Sequence, residues 1–334
     1  MYETFFGLTG KPFQLNPDPA FFYGSRGHKR AFAYLQYGVY QGEGFIIVTG
    51  EVGAGKTTLV RSLLEQLDPN QLVAAQLVTT QLDAEDLLRA IAMAFGLATK
   101  AIDKAQLLAE LEAFLVSLVP QGKRALLIVD EAQNLSGRAI EELRMLSNFQ
   151  LGNQGLLQSF LVGQPELRLL MQGPKLRQLR QRVTASYHLG PMDRAETQAY
   201  VEHRLRHVGW SKDPRFEPGA FDAIYTFSAG IPRRINTLCN RLLLAAALSE
   251  EHDIAAANVD ATVEEIRLEF SDGDNNAAPV AARDNGHGVG DDAPAVGLEE
   301  RVVRLERTMT ATLDLLQQMR RSQASLKPLD PLNS

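Results

Sequence analysis

Three features of this 334-residue chain predict an α/β protein with a mostly parallel sheet, helices on both faces and a small all-helical domain behind it. Short apolar runs alternate with helix-period segments from residue 45 to about residue 190, the pattern of successive βαβ units. A glycine-rich loop joins the first apolar run to the first helical segment. From Pro191 onward the strand-like runs stop, and helical spacing continues alone to about residue 270.

The strands are expected at 45–49, 72–78, 125–129, 156–162 and 184–189. Helices are expected between them at 57–67, 84–95, 104–118, 138–148 and 166–170. In an open parallel sheet, ligands bind beyond the carboxyl ends of the strands, which is where the glycine loop lies. The second domain, 191–270, opens on Asp193-Arg194-Ala195-Glu196, an N-cap with a glutamate three residues on. Its helices are expected at 194–208, 218–227, 232–249 and 259–268, with no strand.

Ahead of the core, residues 1–44 form a lead-in. Lys11 to Pro19 holds too many prolines for a helix or a central strand, and Phe5, Phe6, Phe13, Phe21, Phe22 and Tyr23 are its aromatic anchors. Helical spacing returns from His28 to Tyr40. Packing of this lead-in on a nucleotide base and ordinary surface packing both fit the spacing. Beyond the second domain, 271–296 is rich in Gly, Asp, Asn, Ala and Pro and reads as a flexible linker. Leu298, Val302, Leu305, Met309, Thr312, Leu316 and Met319 then recur every three or four residues, so 297–321 is expected to be a short coiled coil or docking helix, followed by a disordered tail at 322–334.

Formal net charge is −6, which argues against a nucleic-acid partner for the protein as a whole. The single cysteine, Cys239, excludes an intramolecular disulfide, fits a reducing compartment and sits in an apolar helical stretch as a small core residue. The start Met1-Tyr2-Glu3-Thr4-Phe5-Phe6-Gly7 lacks a basic segment and a long apolar segment, so no signal peptide is expected. No apolar run approaches the roughly 18 residues of a membrane span. The expected location is cytoplasmic, peripheral at the inner membrane at most.

Chemistry concentrates in two motifs. Gly50-Glu51-Val52-Gly53-Ala54-Gly55-Lys56-Thr57, with Thr58 following, has the spacing of a phosphate-binding loop between a strand and a helix. The glycines let successive backbone N–H groups turn toward a polyphosphate, and the helix adds its positive dipole end. Lys56 would reach the β- and γ-phosphates of ATP, and Thr57 would hold Mg²⁺. Ala125-Leu126-Leu127-Ile128-Val129-Asp130-Glu131 is an apolar strand ending in two acids. Asp130 would hold Mg²⁺ through water, and Glu131 would orient and polarise the attacking water. After the next strand, Gln164 either senses the γ-phosphate or simply precedes the helix-starting Pro165. Two arginine groups remain: Arg177, Arg180 and Arg182 before the last strand, and Arg233 and Arg234 at a helix start in the second domain. A guanidinium near the γ-phosphate suits phosphoryl transfer, whereas spacing alone describes a solvated basic face. His203 and His207 share a helix face, but no third metal ligand accompanies them.

The ordered set resembles a known family. It comprises Tyr2-Glu3 with Phe5-Phe6-Gly7-Leu8, Pro12-Phe13, Pro17-Asp18-Pro19, Gly27-His28, Gly44 through Thr58, Asp130-Glu131-Ala132-Gln133, Gly163-Gln164-Pro165-Glu166-Leu167, Leu179-Arg180-Gln181-Arg182 and Gly230-Ile231-Pro232-Arg233. Over residues 1–270 this is similar to AAA+ ATPases of the general secretion pathway protein A type, and most of all to secretion ATPases found with exosortase (PEP-CTERM) and exopolysaccharide loci. The resemblance implies an AAA+ P-loop core with a helical lid, Mg²⁺-dependent ATP hydrolysis and self-association. It implies that Gln164 is the sensor 1 residue and that Arg233, reaching in from the lid, is the sensor 2 arginine. It also implies that Arg182, with Arg180 second, is an arginine finger offered to a neighbouring subunit. Members of this type often add a transmembrane helix and a peptidoglycan-binding domain, and neither is expected here.

The function expected is therefore an ATP-driven switch or assembly ATPase for an envelope export, protein-sorting or exopolysaccharide machine, with membrane components of that machine as partners. The alternative is a DNA-linked AAA+ ATPase of the transposition or target-selection type. The chain shows no helix-turn-helix or basic arm to favour it. A non-hydrolysing nucleotide sensor is the third reading, and the intact Asp130-Glu131 pair argues against it.

Overall fold

The computed structural model describes residues 1–78, 82–99, 103–173 and 176–274, with side chains to residue 269. Five strands form one fully parallel sheet: β1 (Phe45–Gly50), β2 (Leu72–Val78), β3 (Arg124–Asp130), β4 (Leu157–Gly163) and β5 (Val183–Leu189). Their order across the sheet is β2-β3-β4-β1-β5. Register is continuous through the centre, with Phe45 opposite Ser159, Ala125 opposite Leu157, and Leu72 opposite Arg124.

Both faces of the central strands are apolar because both are covered. The period-2 alternation of a strand divides β1 cleanly. Phe45 and Ile47 enter one core with α3 (Ala84–Ala94), α4 (Lys104–Leu118), α5 (Gly137–Leu146) and α6 (Pro165–Gln172). Ile46 and Val48 enter the other with α1 (Arg26–Gln41) and α2 (Lys56–Leu64). In β3 the same parity sends Leu127 and Val129 to the first core and Leu126 and Ile128 to the second. The expected helices and strands agree with these bounds to within about three residues, the usual uncertainty of an element end.

Behind the sheet lie α7 (Arg194–His207), α8 (Pro218–Ser228), α9 (Pro232–Leu248) and α10 (Ala256–Asp274). Helix α7 carries the full capping box anticipated at Asp193 and Glu196. Two expectations are corrected here. The second domain does contain strand pairing: Arg215–Phe216 runs parallel to Asp253–Ile254. A two-residue strand is too short to register as alternation, so periodicity missed it. Helix α10 also runs to Asp274, four residues into the stretch read as linker. The rest of that linker, the heptad helix at 297–321 and the tail at 322–334 lie outside the described residues.

The lead-in joins the two halves. Tyr2, Phe6, Leu8 and Phe13 are buried in the hydrophobic core of the helical domain, alongside Val201, Leu205, Ile235 and Leu242. Cys239 is fully buried in the same core, and burial pushes its thiol well above the usual range. Thus the first residues of the chain complete a domain that begins almost 200 residues later. Phe13 is 1% exposed, so Phe13→Ala should cost about 3–5 kcal/mol of stability. Thermal or denaturant unfolding of the two proteins measures that loss.

Candidate nucleotide-binding site

Strand β1 ends at Gly50 and α2 starts at Lys56, so the glycine loop spans the turn between a buried strand and a helix N-terminus. Lys56 is 6% exposed, and its ammonium donates to the carbonyls of Gly50 (2.7 Å) and Glu51 (3.0 Å). Burial lowers its pKa, while the carboxylates of Glu131, Asp130, Glu51 and Glu166 act in the opposite direction. The glycine loop thus holds a cation where the phosphates of a nucleotide would lie.

Thr57 Oγ1 donates to Asp130 Oδ2 at 2.8 Å, so the expected metal pair is brought together. Among the described residues no group of three or more His, Cys, Asp or Glu side chains converges as a metal cage. That fits Mg²⁺, which is commonly held by one or two protein oxygens, substrate phosphates and water. Thr57 and Asp130 would hold it, and the ion would supply charge neutralisation at the phosphates. Among the described residues His203 and His207 belong to no such group; they pack against the rings of Tyr23 and Phe21 at 5.5 and 4.2 Å.

Glu131 directly follows β3 in left-handed backbone conformation (φ 54°), an uncommon choice for a residue with a side chain and one met at functional sites. Its Oε2 accepts from Gln164 Nε2 (3.2 Å) and from Gln133 Nε2 (2.6 Å). Burial alone would raise the Glu131 pKa. The two amide hydrogen bonds and the Lys56 charge outweigh it and hold the carboxyl below its usual range. Glu131 is therefore ionised at neutral pH.

The roof comes from the second domain. Arg233, the second residue of α9, lines the cavity, and its backbone N–H donates to the carbonyl of Gly53 at 3.1 Å. A Cβ at Gly53 (φ +81°) would lie 2.3 Å from Arg233 Cβ, so only glycine permits this seating. The open-sided cavity has a volume of about 390 Å³ and is lined by the glycine loop, Glu131, Arg233 and the lead-in segment with Phe21, Phe22 and Tyr23. Tyr2, Phe6 and Phe13 are buried in the helical core rather than packed on a surface, whereas Phe21 to Tyr23 line the cavity, with Phe21 and Tyr23 also packed against that core.

Arg182 is placed elsewhere. It immediately precedes β5, and its carbonyl accepts from the N–H of Phe45 at the start of β1. The length of β1, about 17 Å, therefore separates it from its own glycine loop. Its guanidinium donates to Ser147 O (2.8 Å) and Oγ (3.0 Å), and Arg180 donates to the carbonyls of Met171 and Gly173. Neither arginine serves the site of its own chain in this arrangement.

Several contributors were given no role by the sequence, although Gln133 and His28 stand in motifs that carry the family resemblance. Gln133 is one, lying in a short turn after the acid pair. Arg204 is another. It is buried, stacks over Phe21 at 4.7 Å, and donates to Pro12 O (2.5 Å) and Tyr200 Oη (2.9 Å). Tyr200 in turn donates to Asn236 Oδ1 at 2.8 Å. His28 is the third. The carbonyl of Ala54 only accepts, so at 3.1 Å the His28 Nε2 carries the proton, and Nδ1 accepts from Ser25 Oγ at 2.7 Å. The ring braces the glycine loop as a neutral imidazole.

Residues 39–171 match the family model for an AAA domain. The chain carries an AAA ATPase domain. It is 41% identical over 267 residues to General secretion pathway protein A of Aeromonas hydrophila, a match covering 80% of this chain and 48% of that protein. The chain therefore spans about half the length of that curated relative. Among solved structures the fold is similar to the Aeropyrum pernix ORC2 protein in its ADPNP–ADP complexes (TM-score 0.59, 18% identity, 76% of this chain and 71% of that one). It is also similar to the Aeropyrum pernix ORC1 protein in complex with DNA (TM-score 0.58, 16% identity, 81% and 73%). At these identities the likeness is one of fold.

Burial lowers the His28 pKa against smaller opposing effects from the Ala54 carbonyl and Glu196. The unfolded chain then takes up a proton at about pH 6.5 that the folded AAA domain resists. Stability contributed by His28 is present above that pH and is lost as pH falls below it. Melting curves at pH 8 and pH 5.5 should show a smaller acid-induced loss for His28→Gln than for the wild type.

Proposed function

We propose that this protein is an ATP-driven molecular switch serving an envelope export machine of the protein-sorting (PEP-CTERM) or exopolysaccharide kind, acting from the cytoplasmic face. The observation that carries the reading is the relationship to General secretion pathway protein A, which at 267 residues is long enough to take in both the core and the helical domain. In this reading Lys56 neutralises phosphate charge, Thr57 and Asp130 hold Mg²⁺, and Glu131 orients and polarises the attacking water. Gln164 and Arg233 report the state of the γ-phosphate, the one to the sheet and the other to the helical lid. Closure of the lid excludes water and strengthens every charge interaction inside.

Arg182 supports self-association. A finger arginine that lies a strand's length from its own loop can act only on a neighbour's nucleotide, so hydrolysis requires a dimer or ring. Arg182→Ala should keep the wild-type affinity for ATP and lose most turnover, about 10³-fold or more for a full arginine finger. Equal turnover would remove Arg182 from that role.

The pathway is tested by steady-state ATP turnover with added membrane vesicles from cells that carry, or lack, the neighbouring export genes. Stimulation only by the first vesicles is the expected result. Turnover indifferent to both, yet stimulated by duplex DNA in a salt-dependent way, would contradict the export reading and favour the DNA-linked one.

A further inference from the structure

We propose that Gln133 is a positioning residue for ATP hydrolysis: its side-chain amide clamps Glu131 to the end of strand β4 and fixes the carboxylate for work on the attacking water. The inference rests on the reading of Glu131 as the residue that polarises that water.

The orientation of the amide is set by its partners. The backbone N–H of Gln164 can only donate, and it lies 3.0 Å from the Gln133 side chain, so that atom is the amide oxygen. The amide nitrogen then faces Glu131 Oε2 at 2.6 Å, where an ionised carboxylate can only accept. Gln133 thus bridges two strand ends, β3 through Glu131 and β4 through Gln164. The Gln164 side chain donates to the same Oε2. Two amide donors converging on one carboxylate oxygen restrict rotation of that carboxylate and favour its charged form.

The neighbouring backbone is shaped for the clamp. A Cβ at Gly163 would lie 2.7 Å from Gln133 Oε1, within the space the amide occupies, and 3.0 Å from a Leu167 methyl. Strand β4 therefore ends in the one residue that leaves room for Gln133. Glu131 itself is held in left-handed conformation by the turn that carries Gln133, Ala132–Asn134, so acid and clamp are placed by a single local structure. Lys56 of the glycine loop also acts on the acid, and Arg233 of the lid lines the same cavity.

The test compares ATP affinity and kcat for wild type, Gln133→Ala, Gln133→Glu and Gly163→Ala, with Glu131→Gln in parallel. Both Gln133 variants should bind ATP within about twofold of wild type and lose about 10- to 100-fold in kcat, the scale expected when a reacting group is misplaced by an ångström. Gln133→Glu, which keeps the size but places a carboxylate beside a carboxylate, should lose at least as much kcat as Gln133→Ala, so size alone does not rescue the clamp. Gly163→Ala, which displaces the clamp without deleting it, should show the same loss in kcat with affinity preserved; this variant also covers a Gln133 variant that does not fold. Wild-type kcat in the Gln133 variants, with Glu131→Gln inactive, would overturn the clamp alone. A rise in kcat would make Gln133 a restraint and overturn it as well. Full turnover by Glu131→Gln would overturn both the clamp and the reading of the acid beneath it.

Discussion

The close approach of the helical lid to the glycine loop at Gly53 is the constraint on which the site depends. A backbone N–H of α9 caps a carbonyl of the phosphate loop, and the missing side chain at Gly53 makes the approach possible. Through that contact the N-terminus of α9 and its Arg233 form a wall of the cavity. A helix N-terminus favours anions, so core and lid both present positive ends to the same space: α2 from below and α9 from above. Occupancy by a polyphosphate would therefore draw the two domains together, and its loss would weaken the main polar reason for them to stay closed.

Two further ties hold the lid, and their strengths differ. Arg26 of α1 pairs with Asp193 and Glu196 at the start of α7, but Arg26 is well exposed and such pairs typically contribute about 0–1 kcal/mol. The lead-in is the stronger tie. It buries Tyr2, Phe6, Leu8 and Phe13 in the lid core before its chain runs past the cavity into α1. Buried Arg204 anchors the same segment through Pro12 and Phe21 without a carboxylate partner among the described residues. The cation is compensated by carbonyl, hydroxyl and ring-face contacts, an arrangement consistent with the cost of burying a second charge.

The sheet and the centre of the site were readable because they are local in sequence. The glycine loop needs a strand before it and a helix after it, and all three fall within 20 residues from Phe45 to Leu64. Strand β3 is apolar on both faces and ends in its acids, so Asp130 and Glu131 announced themselves. Other parts are not local. That Phe13 belongs to a core with Val201 and Leu242 is a tertiary fact, and aromatic spacing in the lead-in carries no trace of it. The Arg215–Phe216 pairing is too short to generate a period. Gln133 looks like any polar turn residue until Gly163 and Gln164 are brought beside it by the β3–β4 register. Arg182 was singled out by resemblance, and only the sheet shows that it stands a strand's length from its own loop.

Closure of the lid on the glycine loop is what makes the nucleotide site. Titration calorimetry of Mg–ATP binding to wild type and Gly53→Ala tests it most directly, because that single methyl is directed at Arg233 and leaves Lys56, Thr57 and Asp130 in place. The account predicts a folded variant whose affinity falls by at least about 10-fold, a difference of about 1.4 kcal/mol. Unchanged affinity and enthalpy would show that the nucleotide is held by the loop alone and would contradict a site shared between core and lid.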